Sequence, residues 1–317
     1  MSFLNAVGEL SLKNPVYKKA VQLYVWQAYL EDLGKGDVTT NLFIKNKSKK
    51  VIAEVVMNKE GILAGIHEAE WFLNRLGIKV LEKFKEGTDI KRGDIVLKIE
   101  GTIQKILSAE RTLLNLLQRM SGVATASKKL SSKLPKTIKL LATRKTLWGL
   151  LDKKAVALGG GATHRLNLDD AVLIKDNHLD FEMDWGSGLS KVLKNKKVRF
   201  VEIELESIDQ IHDFLVVYDS LKEKVTPQKP VVVMLDNFRP ADIKRVIPQL
   251  KQAGLTIELS GGISERNIEK YCIKGVTAIS SGAITGRAKN LDMSLNIKET
   301  GHRTQKTAES CFLDPVS

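Results

Sequence analysis

The sequence is poor in several things, and each shortage removes a class of protein. Two cysteines, Cys272 and Cys311, are too few for a disulfide framework and too far apart for a CxxC metal knuckle. Their scarcity suits a reducing compartment, and a cytoplasmic location is expected. Aromatic residues make up only 6% of the chain and do not interleave with its basic clusters, as a stacking platform for single-stranded nucleic acid would require. No apolar run approaches the ~18 residues of a membrane span; the longest, such as VVVML at 231–235, read as strands. The opening MSFLNAVGELSLKNP has no basic stretch ahead of an apolar core, so no signal peptide is expected there. HExxH, GxSxG and GxxxxGK[ST] are absent, which argues against zinc hydrolases, serine hydrolases and P-loop ATPases.

What is abundant is positive charge. Fifty Lys and Arg face 37 Asp and Glu, a net +13 on 317 residues. Such a surplus suits nucleic acid, a membrane surface or an anionic substrate. Most lysines fall in short clusters at 45–50, 128–136 and 194–197, as on a solvated surface. The length predicts about two domains of roughly 150 residues.

Residues 16–33 carry apolar side chains on nearly every turn and predict a helix, which GKGDVTTNLF at 34–43 then breaks. Short strands are expected at 51–57, 78–84 and 94–107, with a helix at 67–77 between the first two and a glycine turn, KRGD, at 91–94. A long helix follows, with Ser108 as N-cap and Leu113, Leu116, Leu117, Met120 and Val123 as its buried stripe. Arg111 lies off that stripe.

From residue 137 the pattern repeats. Six apolar runs, at 138–145, 171–178, 199–206, 231–238, 255–262 and 276–283, alternate with segments that mostly read as helices, SERNIEKYCIKG among them. Strands buried on both faces and separated by helices predict a parallel sheet or (β/α) barrel. Each run ends in chemistry: Arg144 and Lys145; Lys175, Asp176 and Asn177; Glu204 and Glu206; Asp236 and Asn237; Ser260, Gly261 and Gly262; Ser281 and Gly282. In (β/α) barrels the active site lies at these C-terminal strand ends. The glycine pairs of the last two strands suit a phosphate, because backbone N–H groups can approach it closely. Arg144, Lys145, His164, Arg165 and Lys175 together call for a multiply negative ligand. His164 could equally be a satisfied core histidine; its place between Gly-rich and basic residues, in a loop expected over the rim, favours the site. Glu204 and Asp236 suit Mg²⁺ or ribose hydroxyls. Glu202 and Glu206 share strand parity with Glu204, so the pattern does not choose among the three.

The chain resembles the quinolinate phosphoribosyltransferase family (the carboxylating nicotinate-nucleotide diphosphorylases). EDLGKGDVTT (31–40), ERTLLNLLQRMSGVAT (110–125), TRKT (143–146), GGGATHRLNLDDAVLIKDNH (159–178), VEIELES (201–207), VMLDNF (233–238), IELSGGIS (257–264) and ISSGAIT (279–285) occur in the family's order. The resemblance implies an N-terminal α/β sandwich over 1–118, joined by 289–317, and an incomplete (β/α) barrel over 119–288. It implies transfer of phosphoribose from phosphoribosyl pyrophosphate to quinolinate with decarboxylation, giving nicotinate mononucleotide for NAD synthesis, with Mg²⁺ as cofactor. It assigns Thr143, Arg144, Lys145, His164, Arg165 and Lys175 to the dicarboxylate and pyrophosphate, and selects Glu204, with Asp236, for ribose and metal. Ser260, Gly261, Gly262, Ser281 and Gly282 fall to the 5′-phosphate, and Lys145, Lys175, Glu204 and Asp236 to catalysis. It further implies a homodimer or larger homo-oligomer in which Arg111 reaches the neighbouring subunit's site, and no nucleic-acid or membrane partner. One departure stands out: the family follows TRKT with Thr-Pro-Gly and then an Arg, whereas this chain has Leu147–Asp152 there, shorter and without the Arg. A homologue from molybdenum operons and a nucleic-acid-binding protein are the alternatives; a rim-centred or a surface-striped positive charge separates them.

Overall fold

A computed structural model describes residues 2–181 and 185–298. Two short 3₁₀ turns, Ser2–Leu4 and Val7–Glu9, precede a helix running from Pro15 to Leu33, π-wound over Gln22–Trp26. Asn14 caps it, its side chain accepting from the Val16 amide at 2.9 Å, and Pro15 takes the first helical position, where no N–H is needed. Gly34 ends it at φ +53°. The expected break at 34–43 is only partial: Asp37 accepts from the Thr40 amide at 2.9 Å and starts a helix at Val38–Phe43.

The strands β1 (Lys50–Met57), β2 (Gly61–Ile62), β3 (Lys79–Lys83), β4 (Asp89–Ile90) and β5 (Ile95–Thr102) surround a helix at Ile66–Arg75. β5 stops at Thr102, and the long helix occupies Ile103–Ser131. Ser108 is therefore not its N-cap. Ile103–Leu107 fits either period when read alone, but Ile106 and Ala109 extend the buried stripe backward, and Ser108 donates to the Lys105 carbonyl inside the helix at 3.0 Å.

The six apolar runs are six parallel strands: β6 (Lys139–Leu141), β7 (Val172–Ile174), β8 (Val201–Leu205), β9 (Val231–Asp236), β10 (Thr256–Ser260) and β11 (Ala278–Ser280). They lie in the order β6-β11-β10-β9-β8-β7, an incomplete barrel open between β6 and β7. Helices at Leu150–Leu158, Ile208–Lys222 and Pro240–Gln252 are among the connections, while SERNIEKYCIKG makes only a 3₁₀ turn at Ile268–Tyr271. Finally β12 (Met293–Lys298) returns to the first sheet, whose antiparallel order is β12-β1-β5-β3. Residues 299–317, Cys311 among them, lie outside the described residues.

The helix Ile103–Ser131 ties the two sheets together. Ser121 and Thr125 accept the amides of Ala64 and Ile62, and Gln118 donates to the Met293 carbonyl at 2.9 Å, on the side of the first sheet; Ser131 donates to the Gly159 carbonyl at 3.0 Å and Arg119 to Asp152 on the side of the parallel strands. The expected boundary at residue 118 falls inside it.

The seam between β6 and β7 is filled by the GGGATHRLNL segment, with Ala162 bridging Leu141 in parallel. That segment does not arch over the rim as expected; it runs through the barrel wall. Leu4 from the N-terminus packs below it, fully buried with Leu141, Ala162, Ala171, Phe200, Val232 and Ala278. Successive inward positions of β8 and its entry, Phe200, Glu202 and Glu204, thus climb from an apolar floor to an open mouth.

Candidate active site

A cavity of about 530 Å³ opens at the C-terminal ends of the parallel strands. Thr143, Arg144, Lys145, His164, Arg165, Lys175, Glu204, Asp236 and Ser260 all line it, and so do Leu168, Leu173, Met234, Glu258 and Ser280. Lys175 leaves β7 and donates to Glu204 on β8 at 2.5 Å. Asp236 accepts from the Asn237 side chain at 2.7 Å. Asn237 takes φ +60°, with its amide on the Ser260 carbonyl at 3.0 Å. Gly261, at φ +95°, sits so close to it that a Cβ there would overlap the Asn237 side-chain oxygen and backbone nitrogen. Gly262, at φ +59°, faces open space, and Gly282 abuts the Lys145 side chain.

The basic segment after β6 is held from below. Thr285 donates its hydroxyl to the Lys145 carbonyl at 2.7 Å. Buried Arg119 clamps Asp152 through two bonds of 3.0 and 2.7 Å and donates to the Thr285 carbonyl. Asp152 in turn accepts the amides of Leu147 and Trp148, so its carboxylate closes the shortened turn that follows TRKT. Neither Arg119 nor Asp152 was singled out from sequence. A charged residue at position 119, in step with Leu116, Met120 and Val123 on the buried face, is the signal that could have found them.

Beneath the mouth lies a second, closed cluster. His164 is a non-glycine residue at φ +54° and only 6% exposed. Its Nε2 lies 2.8 Å from Glu202 and 3.4 Å from Glu258, both fully buried. Burial alone would lower the imidazole pKa, but the two carboxylates overcome it and raise it to about 10. Burial and the neighbouring Glu258 push Glu202 up to about 7; Glu258 is held below its ordinary value, His164 outweighing the opposing effect of burial. His164 is thus both a buried member of an ionic cluster and part of the cavity wall. Glu202 belongs to this cluster, while Glu206 is exposed at the mouth.

Two more cations press on the same loop. Lys153, 2% exposed, donates to the Thr163 carbonyl at 2.8 Å. Burial first, then the charge of Arg165, lower its pKa to about 7. Arg165 is also lowered, by burial and by Arg144, with Glu202, Glu204 and Asp170 opposing.

Gly261, Gly262, Ser281 and Gly282 are not among the residues lining this cavity, and neither is Arg111, which the resemblance assigns to the neighbouring subunit's site. Ser281 is buried and donates to the Ile263 carbonyl at 2.6 Å, so its hydroxyl serves the turn; Ser280 lines the cavity instead. Arg111 is exposed in a separate depression of about 260 Å³, beside Tyr24, Glu31, Asp32, Asn115 and Trp148.

Carboxylate atoms of Glu204, Glu206 and Asp236 lie within 4.8 Å of one another, as do the ligand atoms of His164, Glu202 and Glu258. The first group offers hard oxygen donors at an open mouth, which suits Mg²⁺. The second carries its own cation on His164 and has no need of a metal.

Comparison with known proteins matches this arrangement. The chain is 35% identical over 277 residues to a probable carboxylating nicotinate-nucleotide pyrophosphorylase of Methanothermobacter thermautotrophicus, covering 84% of this chain and 95% of that protein. It is 35% identical over 336 residues to a decarboxylating quinolinate phosphoribosyltransferase of Nicotiana tabacum, covering 95% and 91%. The solved nicotinate-nucleotide pyrophosphorylase of Francisella tularensis superposes with a TM-score of 0.76 at 31% identity, covering 88% of this chain and 96% of that one. The family models for the N-terminal and C-terminal domains of quinolinate phosphoribosyl transferase match residues 37–121 and 123–296. By fold, site and sequence alike, the chain belongs to the quinolinate phosphoribosyltransferase family.

Proposed function

We propose that this protein transfers the phosphoribosyl group of phosphoribosyl pyrophosphate to the ring nitrogen of quinolinate and releases CO₂ and pyrophosphate, forming nicotinate mononucleotide. The observation that carries the reading is one cavity drawing Arg144, Lys145, Arg165 and Lys175 from three separate segments of the chain, with carboxylates on its opposite wall. Such a set of cations, only partly balanced by Glu204, suits an anionic ligand.

Arg144, Arg165 and Lys175, with the His164 imidazolium below, hold the dicarboxylate. Arg144 and Lys145 face the pyrophosphate. Ser260, Gly261, Gly262 and Gly282 form the cradle for the 5′-phosphate. Glu204 and Asp236 hold ribose hydroxyls and favour the positive charge that develops at C1 as pyrophosphate leaves. The ring nitrogen attacks C1 as the C1–pyrophosphate bond breaks; the C–CO₂ bond then breaks, its electron pair stays on the ring carbon as an ylide stabilised by the adjacent positive nitrogen, and that carbon takes a proton from solvent as CO₂ departs. No protein nucleophile is needed. Glu204, Glu206 and Asp236 are the residues that would hold Mg²⁺, which when bound neutralises the leaving pyrophosphate.

The assembly is a homodimer or a multiple of it, with Arg111 completing the neighbour's site. Val16, Leu23 and Leu30, seven residues apart on one helix and all exposed, support a self-association face. No helix among the described residues is long and apolar enough to cross a membrane. The scarcity of cysteine supports a reducing compartment, the cytoplasm. The test is direct: the protein, quinolinate, phosphoribosyl pyrophosphate and Mg²⁺ yield CO₂ and nicotinate mononucleotide in equal amounts. Product formed from nicotinate as fast as from quinolinate, or none from either, overturns the reading.

A further inference from the structure

Residues 2–6 reach into the base of the parallel-strand barrel. Leu4 is fully buried in the barrel floor, and Phe3 sits against Phe200 with ring centroids 5.9 Å apart. Phe200 also meets His164 edge-on at 5.2 Å, so one buried ring touches both Phe3 and a cavity-lining residue. The backbone contacts are more telling. The Leu4 carbonyl accepts the His164 amide at 3.0 Å, and Thr163 Oγ1 accepts the Ala6 amide at 2.8 Å. The Asn5 side chain accepts the Thr163 amide at 3.4 Å. Arg199 donates to the carbonyls of both Phe3 and His164.

This matters because His164 holds φ +54°, a conformation that a non-glycine residue keeps only when its surroundings over-determine it. Among the described residues, Leu4, Asn5, Ala6, Lys153 and Arg199 supply that constraint, and three of these five come from the N-terminal segment. We propose that residues 2–6 are a positioning plug: seated in the open floor of the incomplete barrel, they fix the backbone of Thr163 and His164 and so aim His164 and Arg165 at the substrate's carboxylates. None of the plug residues touches the cavity. Their influence passes through the loop and falls on the dicarboxylate side of the site, leaving the phosphate cradle on β10 and β11 alone.

The proposal rests on the reading of the cavity as a quinolinate site, and its test separates the two. In the full chain, Leu4→Ala opens a hole under Phe200, whereas Leu4→Met nearly conserves volume. Leu4→Ala is expected to raise KM for quinolinate at least tenfold with KM for phosphoribosyl pyrophosphate within twofold, and Leu4→Met to restore it. A chain lacking residues 2–6 should show the same split and recover when a synthetic peptide of residues 1–10 is added. Quinolinate KM within twofold of the parent in both variants, or both KM values rising together with kcat falling, overturns the plug. Amide hydrogen exchange at residues 162–166 without substrates tests it independently of activity. Exchange should speed up in Leu4→Ala and in the shortened chain, and slow again with peptide. Unchanged exchange overturns the proposal even if quinolinate turns over; faster exchange in a protein that never turns over quinolinate upholds the plug and rejects only the substrate.

Discussion

Glu202 and Glu204 stand two residues apart on one strand and face the same barrel interior, yet they have opposite duties. Glu202 is fully buried beside His164 and Glu258, in a closed cluster of two carboxyl groups around one imidazole. Glu204 sits one layer higher, beside an open cavity, with Lys175 as its protein partner. Residue type and strand face are the same. Depth alone differs, and depth decides whether a carboxylate is structural or available to a ligand. Glu206, one layer higher still and exposed, extends the series out of the barrel.

The largest effect should come from unbalancing the lower layer. His164→Leu leaves Glu202 and Glu258 buried without a cation, and losing one partner of a buried ionic cluster costs about 3–5 kcal/mol. Denaturant unfolding should show that loss; a change below about 1 kcal/mol would mean the two carboxylates were never charged together. Glu204→Gln should act the other way, lowering turnover on the order of 10²–10³-fold, about 3–4 kcal/mol of transition-state stabilisation, with little change in the denaturation midpoint. Steady-state rates beside unfolding curves decide it, and a destabilised Glu204→Gln protein would erase the contrast between the layers.

Next in size is a pH effect. His164 is raised from about 6.5 to about 10 on folding, so its contribution is complete below pH 6.5 and is lost as pH rises toward 10. Lys153 is lowered from 10.5 to about 7, so its contribution is complete above 10.5 and is lost as pH falls toward 7. Between pH 7 and 10 the two slopes oppose each other, and the stability of the parent should be nearly flat. Lys153→Met removes one of them; stability should then fall with rising pH on the order of 1 kcal/mol per pH unit. An equally flat curve for the variant would show that His164 does not hold its proton. The smallest effect belongs to Glu206→Gln: the Mg²⁺ concentration for half-maximal rate should rise a few-fold with kcat at saturating Mg²⁺ unchanged. A large loss of kcat would move Glu206 down into the reacting layer.

The strand ends were legible because a parallel barrel writes its active face into the sequence at every β-to-α junction. All six apolar runs are strands, and the residues closing five of them line one cavity. Depth was not legible. A period of two gives the face of a strand but not the height along it, so the pattern left Glu202, Glu204 and Glu206 equivalent and only the family resemblance singled out Glu204. The floor depends on Leu4, far away in sequence and indistinguishable there from any apolar residue near a terminus. Ser108 misled for a local reason: IQKIL satisfies both a strand and a helix, and the buried face of the long helix settles the matter. Ser281 and Ser280 likewise differ only in which of two neighbouring hydroxyls turns inward.

The seating of the N-terminus also has a consequence in time. Residues 2–6 are made well before the groups that receive them, which lie 157 to 196 positions later in the chain. At about 5–20 residues per second they wait on the order of ten seconds or more before Thr163 and Arg199 exist. Contacts this distant in sequence form late, after most of the chain entropy has been spent. The sandwich sheet has a similar debt, since β12 supplies the edge beside β1. In a nascent chain, residues 2–6 thus have no seat until Arg199 is made, and the first sheet lacks its β12 edge until all six parallel strands have been made.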